Sequence, residues 1–197
     1  MQWKNEKGYS LLEALVTLVF SGFFMVAVSN FLVSQSKFWI SQNLITQTQQ
    51  TLRTAMKILT ADIQEIGLNT LGTSVVSADL ASFAFKSDRN GDGIAETITY
   101  SLDTTTIGNP KLIRDSQTTT TVNKKPTTTT KTQTVAEHIT LLGFRYFDSQ
   151  GGELGDSLAT TDLAKVKLVK VQLGSRLTLP TGTQKEFTLE SSSRIRK

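Results

Sequence analysis

One carboxylate stands at the edge of the most apolar stretch of this 197-residue chain: Glu13, after which no charged residue occurs until Lys37. An acid within a membrane-length helix costs a few kcal/mol unless it is paired or reaches the interface. No lysine or arginine lies one helical turn downstream of Glu13. The spacing therefore leaves two roles for it: a partner supplied from outside the segment, or a snorkelling position at the lipid surface. A second constellation is Asp88-Arg89-Asn90-Gly91-Asp92-Gly93-Ile94-Ala95-Glu96. Its D-x-N-x-D-G order places oxygens at alternate positions, as the first part of a calcium loop does, with Asp88, Asn90, Asp92 and Glu96 as candidate ligands. Position twelve would be Thr99, which lacks the bidentate carboxylate of a complete loop. Asn, Asp and Gly are equally favoured in a tight turn between two strands for backbone reasons alone. The turn is the working reading and calcium the alternative.

Other chemistry is not assembled in the sequence. The one histidine, His138, has no metal or catalytic context, and there is no cysteine for a disulfide or thiolate site. Neither G-x-S-x-G nor a phosphate-binding loop occurs, and Gly91-Asp92-Gly93-Ile94-Ala95-Glu96 lacks the last glycine of a dinucleotide fingerprint. No enzyme and no cofactor other than calcium is expected. The net charge of +4 permits contact with acidic partners without demanding it. Lys165, Lys167 and Lys170 with Arg194, Arg196 and Lys197 could form a basic patch, but Lys165 and Lys167 alternate with apolar residues as solvated strand positions do. Nucleic acid is therefore not the expected partner.

The elements that must carry these residues follow from periodicity. From Leu11 to Ser34 the chain is apolar and long enough to cross a bilayer as a helix. The helical period then continues: Phe38, Ile45, Leu52, Met56, Leu59, Ile63 and Ile66 form one apolar stripe, opposite Gln42, Gln49, Gln50, Arg53, Lys57, Gln64 and Glu65. Gly67 stands where a left-handed terminator belongs. A continuous helix from Ser10 to Ile66 would reach roughly 85 Å. The competing reading breaks it near Gly22 or Ser29-Asn30. Beyond Gly67 the period becomes two, predicting strands at 82–87, 96–102, 111–115, 139–148 and 163–173, the last with a bulge near Leu168-Val169. A final pair, 176–179 and 185–190, flanks Pro180-Thr181-Gly182. The stretch from 116 to 134 holds ten threonines and one large apolar residue, Val122, and predicts an exposed, mobile loop. A helix followed by antiparallel strands defines an α+β class with one sheet packed on the helix.

The N-terminus resembles a type IV prepilin: Lys7-Gly8-Tyr9-Ser10-Leu11-Leu12-Glu13 followed by an apolar helix, with tyrosine where phenylalanine is usual. The run Leu52-Arg53-Thr54-Ala55-Met56-Lys57-Ile58-Leu59-Thr60-Ala61-Asp62-Ile63-Gln64-Glu65-Ile66-Gly67 resembles PilW-like minor pilins, with Gln64 in place of an arginine. More loosely, the strand region resembles these and the J-like minor pseudopilins of type II secretion. The resemblance implies a pilin-like fold and cleavage by a prepilin peptidase between Gly8 and Tyr9 with N-methylation of Tyr9. It further implies that Glu13 pairs with the N-terminal amine of a neighbouring subunit.

The organisation expected is a leader at 1–8, a transmembrane or filament-core helix at 9–34, an amphipathic half-helix at 35–67, and a β-rich domain at 68–197 with a Thr-rich loop at 116–134. The expected function is that of a minor pilin in assembly or priming of a type IV pilus. Its partners would be other major and minor pilins, the prepilin peptidase, the inner-membrane assembly platform and the membrane itself. It would sit in the inner membrane before assembly and in a pilus or pseudopilus afterwards. A minor pseudopilin of type II secretion and a membrane-anchored calcium- or ligand-binding domain are the alternatives. A plain anchor, or a secretory signal cut after Ala27-Val28-Ser29, would remove the assembly role of Glu13.

Overall fold

A computed structural model describes residues 10–70, 72–122 and 125–195. Leader residues 1–8, the Gly8–Tyr9 bond, and Arg196 and Lys197 lie outside them. Contacts divide the chain into two units, up to Leu44 and from Ile45 onward. One element contributes to both: helix α1, Leu11–Gln64, of 54 residues.

In the first unit α1 is apolar on all sides, and its large side chains from Leu11 to Ile40 are exposed. It is long and apolar enough to cross a membrane. Hydroxyls there turn back onto the helix: Thr17 donates to the Glu13 and Ala14 carbonyls, Ser21 to Thr17 and Ser34 to Asn30. Such bonds hide polar groups in an apolar surrounding.

In the second unit the helix becomes one-sided. Leu52, Met56, Leu59, Ile63 and Ile66 are buried as the stripe predicts, while Ile45 is only half covered and Phe38, in the first unit, is exposed. The helix tightens at its end through Glu65 N–H to Asp62 O and Ile66 N–H to Ile63 O. Gly67 then adopts φ +78°, and a Cβ there would lie 2.5 Å from the Ser74 hydroxyl oxygen. A side chain there would be strained by the backbone and would have to displace Ser74.

Two antiparallel sheets, rather than the single one expected, complete the unit. The first is β1 (Val75–Ala78), β2 (Ser82–Ser87), β3 (Glu96–Asp103), β4 (Lys111–Val122) and β5 (Lys125–Glu137) in chain order. The second contains β6 (Leu141–Phe147), β7 (Glu153–Gly155), β8 (Leu168–Thr178) and β9 (Gln184–Arg194), in the order β7-β6-β8-β9. The fold is α+β: the C-terminal half of a long helix packs on antiparallel sheets through one shared apolar core.

The sheets meet through aromatic side chains. Phe83 of β2 lies 5.5 Å from both Phe144 and Tyr146 of β6, ring centre to ring centre, in tilted contact. The Tyr146 hydroxyl donates to the Asp79 carbonyl at 2.8 Å, and Phe144 N–H donates to Leu80 O. Ser157 and Ser77 both donate to the Asp79 carboxylate, and those bonds hold its pKa below the usual range.

Two sequence expectations are corrected. The described residues between 116 and 134 are not a loop: 116–122 lie in β4 and 125–134 in β5, whose partners run from Lys111↔Glu137 to Val122↔Lys125. Low apolar content was the wrong criterion there, because threonine is β-branched and pairs well across strands without burial. The Thr119 and Thr128 hydroxyls make such a contact at 3.1 Å. Along β5, which is an edge strand, Pro126 and Lys131 discourage further pairing. The second correction concerns 163–173. Its parity conflict is resolved not by a bulge but by a single 3-10 turn at Leu163–Lys165, after which β8 begins at Leu168. The turn buries Leu163 and Val166 beneath a strand that starts later than the apolar run does. Strand β8 then runs unbroken to Thr178, joining two segments the sequence separates.

Candidate functional site

Glu13 is the third residue of α1, and its surroundings are local. The Ser10 hydroxyl oxygen accepts the Glu13 N–H at 3.2 Å, and the Ser10 carbonyl accepts the Glu13 and Ala14 N–H groups. Ser10-Leu11-Leu12-Glu13 thus has the S-x-x-E order of a capping box, in which a glutamate at this position favours helix initiation. Its negative charge also complements the positive end of the helix. Sequence reading missed this second reason for an acid here, although the four residues display it. Glu13 is exposed, and among the described residues it takes part in no salt bridge. Gly8 and Tyr9, the processing residues of the sequence reading, lie outside the described residues.

The loop after β2 is held by bonds to its own backbone. Asp88 is buried, and its two carboxylate oxygens accept the N–H groups of Gly91 at 2.8 Å and Gly93 at 3.0 Å. Asp92 accepts the Ile94 N–H at 2.7 Å and the Asn90 amide at 2.8 Å, while the Asn90 carbonyl oxygen accepts the Asp92 N–H. Gly91 and Gly93 take φ +71° and +82°, which suits glycine. Glu96 belongs to β3, and its carboxylate accepts the Ser116 hydroxyl. The structure therefore brings Asp88, Asn90 and Asp92 together in a self-bonded turn and gives Glu96 a partner on β4. Among the described residues no group of three or more His, Asp or Glu is arranged to hold a metal ion. On the turn reading, millimolar calcium is expected to leave the melting temperature unchanged; a rise with calcium, measured by circular dichroism, would show that the loop binds it.

The loop performs a positioning task that the sequence did not reveal. It holds Arg89 over the end of α1, with Nε 3.2 Å from Glu65 and Nη1 3.4 Å from Asp62. Asp62 is 3% exposed, which places a carboxylate inside the apolar stripe between Leu59 and Ile66. Register explains its partners: Tyr100 of β3 and Arg114 of β4 are directly paired, so both present side chains to the same face. The Tyr100 hydroxyl donates to Asp62 Oδ2 at 2.7 Å, and Arg114 Nε donates to the same oxygen at 2.7 Å. Burial foremost, and then the Asp62 charge, push the Tyr100 hydroxyl pKa up. For Arg114 burial opposes the charge, but the Asp62 hydrogen bond and charge prevail and raise its pKa.

Burial also raises the Tyr146 pKa, with the Asp79 charge adding to it. Both tyrosines are thus held neutral in the fold. Their contribution to stability is complete below the unfolded-state pKa of about 10 and declines as pH rises through the raised folded values. Thermal melts across this alkaline range are expected to show falling stability, with a shallower fall for Tyr146→Phe.

Lys165 sits in the 3-10 turn rather than on a strand and pairs with Asp162 at 2.7 Å, while Lys170 pairs across the sheet with Glu190 at 2.7 Å. His138, at φ +59°, sits in the connection between β5 and β6.

No family model matches the chain, and no curated protein matches it.

Proposed function

We propose that the chain is a minor pilin, a non-enzymatic subunit that takes part in assembling or priming a type IV pilus. In this reading a prepilin peptidase cuts between Gly8 and Tyr9 and methylates Tyr9, the helix stores the subunit in the inner membrane, and the subunit then passes into the filament. There Glu13 accepts the N-terminal amine of a neighbouring pilin. One observation carries the reading: a helix apolar on every side begins with a single exposed carboxylate that has no salt-bridge partner among the described residues, and ends in a half packed on antiparallel sheets. A buried acid is tolerable when a cation supplied by a neighbour compensates it.

Mass spectrometry of the N-terminal peptide after co-expression with a prepilin peptidase tests the proposal. A chain beginning at N-methylated Tyr9 is the expected product. A chain that keeps Met1, or one that begins at Asn30, would overturn it.

A further inference from the structure

Beyond the apolar span, three consecutive large side chains remain uncovered: Phe38, Trp39 and Ile40 are 58%, 64% and 46% exposed. At 3.6 residues per turn, successive side chains point about 100° apart, so these three fan around more than half of the helix. One groove of a protein partner could not cover them together. A layer that surrounds the helix could. Lys37 precedes them and is the first charge after Glu13.

The spacing fits a bilayer. Residues 14–36 carry no charge, and at 1.5 Å per residue they span about 34 Å, slightly more than the roughly 30 Å hydrocarbon core. With the midplane at Met25, Glu13 and Lys37 each lie about 18 Å from it, just outside the hydrocarbon, and Trp39 lies about 21 Å from it. Helical side chains lean toward the N-terminus, which brings the Trp39 ring back into the headgroup layer. Tryptophan and lysine are the residues favoured at that depth.

We infer that Lys37–Ile40 form an interfacial anchor that binds the outer headgroup layer of the membrane and sets the depth of the helix. This inference rests on the membrane-stored subunit proposed above. It has a consequence for Glu13. With the outer end fixed, the carboxylate is held in the opposite headgroup layer, hydrated, and it needs a cationic partner only once the helix leaves the lipid.

The test uses the full chain with Trp3→Phe, which leaves Trp39 as the only tryptophan, in phosphatidylcholine–phosphatidylglycerol vesicles with spin-labelled lipids. Label near the headgroup is expected to quench Trp39 severalfold more than label near the chain ends. Lys37→Leu should move the quenching toward the deeper label. Stronger quenching by the deep label, a depth unaffected by Lys37→Leu, or Trp39 shielded from every label in a chain that resists carbonate extraction would overturn the anchor alone. A chain released from the vesicles by carbonate would overturn membrane storage as well.

Discussion

Asp62→Ala is expected to destabilise the folded protein by about 3 kcal/mol, lowering its melting temperature by roughly 10 °C. The substitution removes an apolar-sized volume, but its main effect is on what stays behind. The Tyr100 hydroxyl and the Arg114 guanidinium would face the core with no acceptor, since both donate to one Asp62 oxygen. Arg114 retains some contact with solvent, its side chain being 16% exposed, which puts the loss near the lower end for a broken buried pair. Tyr100→Phe removes a single donor and leaves the ion pair, so about 1.5 kcal/mol is expected for it. Denaturant titration of the full chain in detergent, followed by far-ultraviolet circular dichroism, measures both. Equal losses for the two variants would mean that the hydroxyl, not the charge pair, holds the helix to β3 and β4.

Glu13→Gln is expected to reduce incorporation into filaments at least tenfold, with the amount in the membrane fraction unchanged. Two unit charges at about 4 Å in an effective dielectric near 20 attract by about 4 kcal/mol before desolvation is subtracted, and a residual 1.4 kcal/mol already gives a factor of ten. Glutamine is the informative replacement because the first turn of α1 has the order of a capping box, and glutamine is accepted at that position. Valine would remove the charge and the helix-start preference together. Immunoblotting of sheared filaments against membranes from the same cells measures the ratio. Wild-type incorporation of the glutamine variant would restrict Glu13 to helix initiation.

The helix and its end were legible because each depends on local rules. A stripe at helical spacing locates the buried face from Leu52 onward, and only glycine suits the backbone at residue 67. Strands with one buried face were legible too: Ser82–Ser87 is found where the alternation places it. Four features were missed. Asp62 was named only within the run that resembles minor pilins, although a carboxylate flanked by Leu59, Ile63 and Ile66 in the buried stripe signals an internal partner. The partners themselves, Tyr100 and Arg114, depend on a register that no local pattern specifies. The division into two sheets depends on which strands pair, and the threonine tract on pairing without burial. For the candidate site, the acid at residue 13 was legible and its local tie to Ser10 was overlooked.

The pairing of β4 with β5 extends past the end of its support. Strand β3 accompanies β4 only as far as Gln117, whereas β4 and β5 stay paired through Thr118↔Thr129 to Val122↔Lys125. Beyond that point the ladder has no third strand and contributes nothing to the core. A two-stranded ribbon alone is marginally stable in water. It can unzip down to Gln117 and close again while Tyr100 and Leu112 stay in place. Amide protons of Thr118–Thr120 and Thr127–Thr129 should then exchange with solvent through local fraying, and those of β3 only through global opening. Hydrogen exchange would resolve two independent openings within a single hairpin.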